Sequence, residues 1–181
     1  MSVERLLSDA VYYRVTGLPN KALFMDRLER TMATALQSRA LDIYVIVIDL
    51  DRFKTVNDGL GHDAGDALLN ATGRRLQAIA GPDDTVARLP GDQFAIMFAN
   101  ADPGRDIVTF ADQLRSAISR PVVLEPKDVY LTASVGLSHF EDRGQTAADL
   151  VRDASVALYS AKRQGKEAIV FFSDALYDDR N

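Results

Sequence analysis

The chain reads as an α/β (α+β) fold in which helices cover a sheet of mixed strands, and three features of its 181 residues predict this. Helical and extended patterns alternate from end to end. Ile43 to Ile48 is almost continuously apolar and β-branched, as a central strand covered on both faces must be. Thr85 to Leu89 and Phe94 to Phe98 are two further extended runs, joined as a hairpin across Pro90-Gly91-Asp92-Gln93.

Val3 to Tyr13 is a short amphipathic segment, read as the end of a connector helix. Pro19, at a helix start, precedes Ala22 to Arg39, where Leu23, Phe24, Leu28, Met32 and Leu36 fall on one face. The strand Ile43 to Asp49 comes next, then a polar loop with Gly59, Gly61 and Gly65, whose glycines let backbone approach a ligand closely. Ala67, Leu68, Ala71, Leu76 and Ile79 give the helix Asp66 to Ala80 its period. After the hairpin, Arg105 to Ser119 fits a helix, Val129 to Ser138 a strand, Ala147 to Gln164 a helix and Ala168 to Phe172 a closing strand. Packed together, these elements predict a two-layer sandwich.

Composition narrows the function. A chain of this length that is 47% hydrophobic buries one substantial core without a second domain. It has no cysteine, which removes disulfides, thiolate metal sites and thiol nucleophiles. A net charge of -5 argues against a nucleic-acid surface, which needs a basic stripe. No apolar run approaches a membrane span and MSVERLLSDA lacks a signal-peptide core, so the expected location is cytoplasmic.

The chemistry gathers after the central strand. Asp49-Leu50-Asp51 closes an apolar run that has no other use for acids, and alternation points both carboxylates one way and Leu50 back to the core. Two hard oxygen ligands suit Mg²⁺, which completes its shell with phosphates and water. A lone Asp-x-Asp is more often a solvated strand cap. Asn57 and Asp66 add weight, because a carboxylate can accept both N–H donors of a guanine edge while an amide serves the remaining positions. Taken singly, each is more often a turn-former or a helix cap.

The run D-L-D-R-F-K-x-x-N-D-x-x-G-H-x-x-G-D-x-L-L resembles the GGDEF family, whose domains condense two GTP into cyclic di-GMP. The resemblance covers nearly the whole chain. It includes Thr16-Gly17-Leu18-Pro19-Asn20, the hairpin Ala87-Arg88-Leu89-Pro90-Gly91-Asp92-Gln93-Phe94, the strand Leu131 to Gly136, and Ala157 to Lys166 in the last helix. It implies a nucleotide-cyclase or palm-like central antiparallel sheet flanked by helices. It also implies Asp49 and Asp92 as ligands of Mg²⁺ or Mn²⁺, with Leu50 contributing its carbonyl. By the same resemblance Phe53 and Lys54 form a phosphate loop, Asn57 and Asp66 read guanine, and Lys162 and Lys166 meet the triphosphate. The catalytic positions are Asp92 and Gln93. Residues 1–14 are then the connector helix, 15–173 the GGDEF domain, and 174–181 the start of a linker resembling the one that leads into an EAL phosphodiesterase domain.

The departures carry information of their own. Pro90 stands where the family has its first Gly, and Gln93 replaces the family's Glu with an amide. Proline has no N–H to donate and favours a Pro-Gly type II turn. The amide removes a charge from a site that must hold metal against a triphosphate. The family's inhibitory product site, an Arg-x-x-Asp, reads Gly81-Pro82-Asp83-Asp84, so product inhibition there is not expected. Tyr13, Val15 and Lys166 replace the family's Asp, Leu and Arg. These features predict a GTP- and Mg²⁺-binding regulatory domain with weak or no diguanylate cyclase activity. The alternatives are a working cyclase, acting as a two-fold homodimer, and a nucleotide-free dimerisation module. An Asp-x-Asp phosphatase with Asp49 as nucleophile lacks the Thr or Val expected after Asp51. His62 reads as a turn histidine bonded to backbone, with a place near phosphate as the alternative, and His139 as structural.

Overall fold

The structure, a computed structural model, describes residues 16–38, 41–124 and 127–178. The expected connector segment Val3 to Tyr13 lies outside the described residues, as do Val15 and residues 179–181. In chain order the elements are α1 (Lys21–Ser38), β1 (Asp42–Leu50), α2 (Phe53–Leu60), α3 (His62–Ile79), β2 (Thr85–Arg88) and β3 (Gln93–Asn100). Then come α4 (Ile107–Ser119), β4 (Val122–Leu124), β5 (Lys127–Val129), β6 (Ala133–His139), α5 (Ala147–Arg163), β7 (Ile169–Phe171) and α6 (Ala175–Asp178).

The apolar run becomes the middle strand of a five-stranded sheet ordered β2-β3-β1-β6-β7. Its pairings with β3 and β6 are antiparallel, and only β6 with β7 runs parallel. Because β1 is apolar at nearly every position, both of its faces need cover. Val45 and Val47 pack into a core with Phe24, Leu28 and Met32 of α1 and Leu150, Ala154 and Leu158 of α5. Ile46, Ile48 and Leu50 face the other way, onto Phe53, Leu68, Leu76 and Phe110 of α2, α3 and α4. The sandwich therefore has three layers rather than the expected two. No helix among the described residues is long and apolar enough to cross a membrane.

Several elements differ from the sequence reading, each for a local reason. The expected Gly-rich loop is a helix, α2, held by the buried side chains of Phe53 and Val56. Pro19 precedes α1 rather than opening it. Its carbonyl accepts the Arg88 N–H at 3.0 Å, and Asn20 caps the helix by accepting the Leu23 N–H at 3.1 Å. Ala35 takes the buried position assigned to Leu36, which is 50% exposed. The long strand Val129 to Ser138 is divided between β5, which pairs with β4, and β6.

The approach of α5 to the sheet positions the site. A Cβ at Gly136 would lie 2.2 Å from both the Ala154 carbonyl oxygen and the Leu158 nitrogen, so the helix backbone rests directly on β6. Ala154, Ala157 and Ala161 line that helix with small, fully buried side chains. Thr146 and Asp149 form a capping box that starts it. The last turn of α5 then descends beside the end of β1. Gly136→Ala must push rigid backbone apart and is expected to cost about 3 kcal/mol, the upper part of the overpacking range. Denaturant unfolding checks it through a lowered midpoint at constant slope.

Candidate functional site

Asp49 ends the central strand on the α5 side and is buried. A buried carboxylate has to be paired. Two elements supply the partners. The Lys162 Nζ of α5 lies 2.6 Å from Asp49 Oδ2. Gln93, directly opposite Asp49 in the β1–β3 register, donates its amide N–H to the same oxygen at 3.3 Å. The other oxygen, Oδ1, is buried and has no hydrogen-bond partner.

The hairpin brings Asp92 to the same place. Gly91 has φ +83°, the sign that a type II Pro-Gly turn requires at its second central residue. The turn is braced by the Leu89 N–H donating to the Gln93 carbonyl at 2.9 Å and by Arg88 Nη2 donating to the Gly91 carbonyl at 3.1 Å. Burial, and next the negative charge of Asp49, push the Asp92 carboxyl above the ordinary aspartate range. A hydrogen bond with Asp49 pushes the same way, while the backbone amide of Asp92 and the charge of Lys162 oppose it.

Beside these acids is a cleft of about 340 Å³, within the range of small-molecule sites. It gathers five of the residues singled out in sequence: Phe53, Lys54, Asn57, Asp66 and Asp92. His62, Leu69, Arg88 and Gly91 complete its wall. His62, which reads as a turn histidine, is the first residue of α3. Arg88, Leu69 and Gly91 had no site role from sequence, although the position of Arg88 just before the reversal marks it as a wall residue in retrospect. The glycines serve packing more than ligand approach. A Cβ at Gly65 would lie 1.8 Å from Asn57 Oδ1, so Gly65 is what lets the Asn57 amide sit where it does. That Oδ1 is buried without a hydrogen-bond partner. The expected phosphate loop is the start of α2, which no side chain caps; of its first N–H groups, that of Thr55 donates to the Arg52 carbonyl at 3.0 Å.

Residues 10–168 match the family described as diguanylate cyclase, GGDEF domain. The chain belongs to the GGDEF family. It is 36% identical over 171 residues to the bifunctional diguanylate cyclase/cyclic di-GMP phosphodiesterase MucR of Pseudomonas aeruginosa, covering 94% of this chain and 25% of that protein. Diguanylate cyclase TpbB of Pseudomonas aeruginosa is 36% identical over 162 residues, covering 89% of this chain and 37% of that protein. The chain thus spans little more than a third of these relatives at most. Among solved structures, the isolated GGDEF domain of TpbB superposes with a TM-score of 0.85 at 35% identity, covering 93% of this chain and 97% of that one. The coiled coil and GGDEF domain of DgcB from Caulobacter crescentus, in complex with c-di-GMP, gives 0.83 at 27% identity, covering 93% and 89%.

Four other positions stand apart from the cleft in this GGDEF domain. Asp51, expected to share a metal with Asp49, accepts hydrogen bonds from Ser134 Oγ and Thr132 Oγ1, both at 2.7 Å, and from the Glu167 N–H at 3.2 Å. Its oxygens are spoken for. Lys166 lies beyond α5 and lines a second cleft, of about 230 Å³, with Arg52 and Tyr130. The Asp84 side chain, expected to match part of the family's product site, is fully buried under Arg105, which pairs with both of its oxygens. Asp84 also accepts the Gly81 N–H at 2.7 Å and the Ala99 N–H at 3.0 Å. The Arg105 guanidinium fills the space beside Gly81, 2.9 Å from where a Cβ would be, and stacks on Phe98. His139 is structural as expected, held 2.5 Å from Asp42 and stacked on Tyr44.

The donors present fit one divalent cation. No group of three or more His, Cys, Asp or Glu side chains able to hold a metal occurs among the described residues. Asp49 and Asp92 supply two carboxylates, one with an orphaned buried oxygen, which meets the modest protein share that Mg²⁺ asks for. The Leu50 side chain is buried in the core, so only its carbonyl can take part. The charge arrangement predicts a pH signature. Since the folded pKa of Asp92 lies above its unfolded value, the folded state binds more protons, and stability falls as pH rises from the ordinary aspartate range through the raised value. Asp92→Asn removes the repulsion. Its melting temperature in metal-free buffer is expected to exceed wild type at pH 7 and to converge with it in acid.

Proposed function

We propose that this GGDEF domain binds GTP with one Mg²⁺ or Mn²⁺ as a regulatory module of cyclic di-GMP signalling, with weak or no diguanylate cyclase activity of its own. The observation that carries the reading is the Gln93 amide donating to Asp49 while the neighbouring cleft keeps Asn57 and Asp66 together. A glutamate in that place would be an acceptor and a ligand; the amide instead helps Lys162 neutralise Asp49. In this reading Asn57 and Asp66 read the guanine edge, and Phe53 and Lys54 with the start of α2 meet the phosphates. Asp49, Asp92 and the Leu50 carbonyl hold the cation, and Lys162 balances the triphosphate, while Lys166, expected to share that task, lines the second cleft instead. A bound cation would neutralise phosphate charge and favour in-line displacement.

One domain holds one GTP, so any turnover requires a second copy face to face, which is a two-fold homodimer. Regulation requires that GTP prefer one conformational state of the chain over another. The names of MucR and of the cyclic di-GMP phosphodiesterase NbdA, 32% identical over 167 residues, support an EAL phosphodiesterase domain as the neighbour in the full protein. GTP as ligand implies a cytoplasmic setting.

A second reading, an active cyclase, is favoured by Asp92, whose raised pKa brings it nearer to a working general base. Calorimetry with GTP and Mg²⁺ or Mn²⁺, paired with chromatography of the products, separates the two. Binding without product is the expected outcome. Product that disappears in Asp92→Ala would establish the cyclase instead, and no heat at high nucleotide would leave the dimerisation module. Gln93→Glu is expected to increase the dependence of binding on Mg²⁺. Gly65→Ala displaces the Asn57 amide and is expected to weaken GTP binding about tenfold, the worth of one good hydrogen bond, with little change in melting temperature.

A further inference from the structure

Asp51 does no work in the site as described, yet it is 3% exposed and carries more hydrogen bonds than Asp49. Its partners come from two distant segments. Thr132 immediately precedes β6 and Ser134 lies at its start, and the Asp51 N–H in turn donates to the Thr132 carbonyl at 2.9 Å. The third donor, the Glu167 N–H, belongs to the turn that follows α5. That turn is unusual. Gly165, Lys166 and Glu167 have φ of +103°, +70° and +54°, so two side-chain-bearing residues in succession stand in the left-handed region. Such backbone persists only where its surroundings hold it.

What the turn holds is the basic end of the site. The Gly165 N–H donates to the Lys162 carbonyl at 3.3 Å, tying the turn to the residue that pairs with Asp49. Lys166 lies inside the turn and faces Arg52 across the second cleft. Arg52 is itself left-handed, with φ +61°, and follows Asp51 directly. One carboxylate is thus bonded to the backbone that sets Lys166 and is adjacent to the residue that opens α2.

We propose that Asp51 is a positioning residue: its buried carboxylate pins the left-handed turn after α5 and thereby sets where Lys162 stands relative to a bound triphosphate. This rests on the GTP-binding reading above. The Asp51 oxygens are committed to Thr132, Ser134 and Glu167 rather than to nucleotide or metal. Asp51 acts through the Glu167 N–H, so its loss is felt at the phosphates and not at the base.

Asp51→Ala removes both acceptor oxygens, and with them the bonds to Thr132, Ser134 and Glu167. Amide hydrogen exchange at Glu167 is expected to quicken, and affinity for GTP to fall about tenfold while affinity for GMP stays within about a factor of two. Adding Glu167→Gly, which relieves the left-handed backbone, is expected to recover part of the GTP affinity. Thr132→Val, a milder removal of one donor, is expected to act in the same direction if Asp51→Ala fails to fold. Equal loss of GTP and GMP affinity, or no loss of either, overturns the proposal. So does unchanged exchange at Glu167. A wild-type chain that binds neither nucleotide defeats the GTP-binding reading instead, and the exchange measurement then decides the role of Asp51 alone.

Discussion

A negative charge at the buried end of the central strand is the constraint on which the rest of this structure depends. Burying a carboxylate costs several kcal/mol unless something answers it. Here the answers come from both sides of β1: the Lys162 ammonium from α5 and the Gln93 amide from β3. Neither arrives without the packing behind it. Gly136 allows α5 to lie on the sheet closely enough for Lys162 to reach, and the Pro90-Gly91 reversal starts β3 with Gln93 opposite Asp49. The fold and the site are therefore one set of contacts.

The same cluster explains why a single amide matters. With Asp49 already paired and Asp92 disfavoured as an anion beside it, the site holds little uncompensated negative charge. On the proposed reading it is tuned toward one cation and a nucleotide rather than toward turnover. A second acid is turned inward in a comparable way. Asp84 is committed to Arg105 and two backbone amides, and Arg105 takes the space that an arginine at position 81 would need.

Much of the fold was legible because it rests on periodicity. The β1 run, the hairpin and the helices α1, α3, α4 and α5 are each long enough for their apolar spacing to speak. The failures have a common cause. α2 reads as a loop because Asn57-Asp58-Gly59 has turn composition, and only packing of Phe53 and Val56 makes it helical. The choice of Ala35 over Leu36 depends on where α1 meets the sheet, which no local signal encodes. The strand expected from Val129 breaks because Thr132 is drawn to Asp51. In the site, Asn57 and Asp66 were legible as chemical types and do share a cleft. The pairings Lys162–Asp49, Arg105–Asp84 and Glu167–Asp51 join residues far apart in the chain, and a single sequence contains nothing that pairs them.

Asp49 is the proposed meeting point of cation and triphosphate. A crystal structure grown with GTP and Mg²⁺ tests it most directly. It should show the guanine edge against Asn57 and Asp66, one cation on Asp49 and Asp92, and Lys162 turned from Asp49 toward a phosphate oxygen. An intact Lys162–Asp49 pair beside an empty cleft at saturating nucleotide would contradict it.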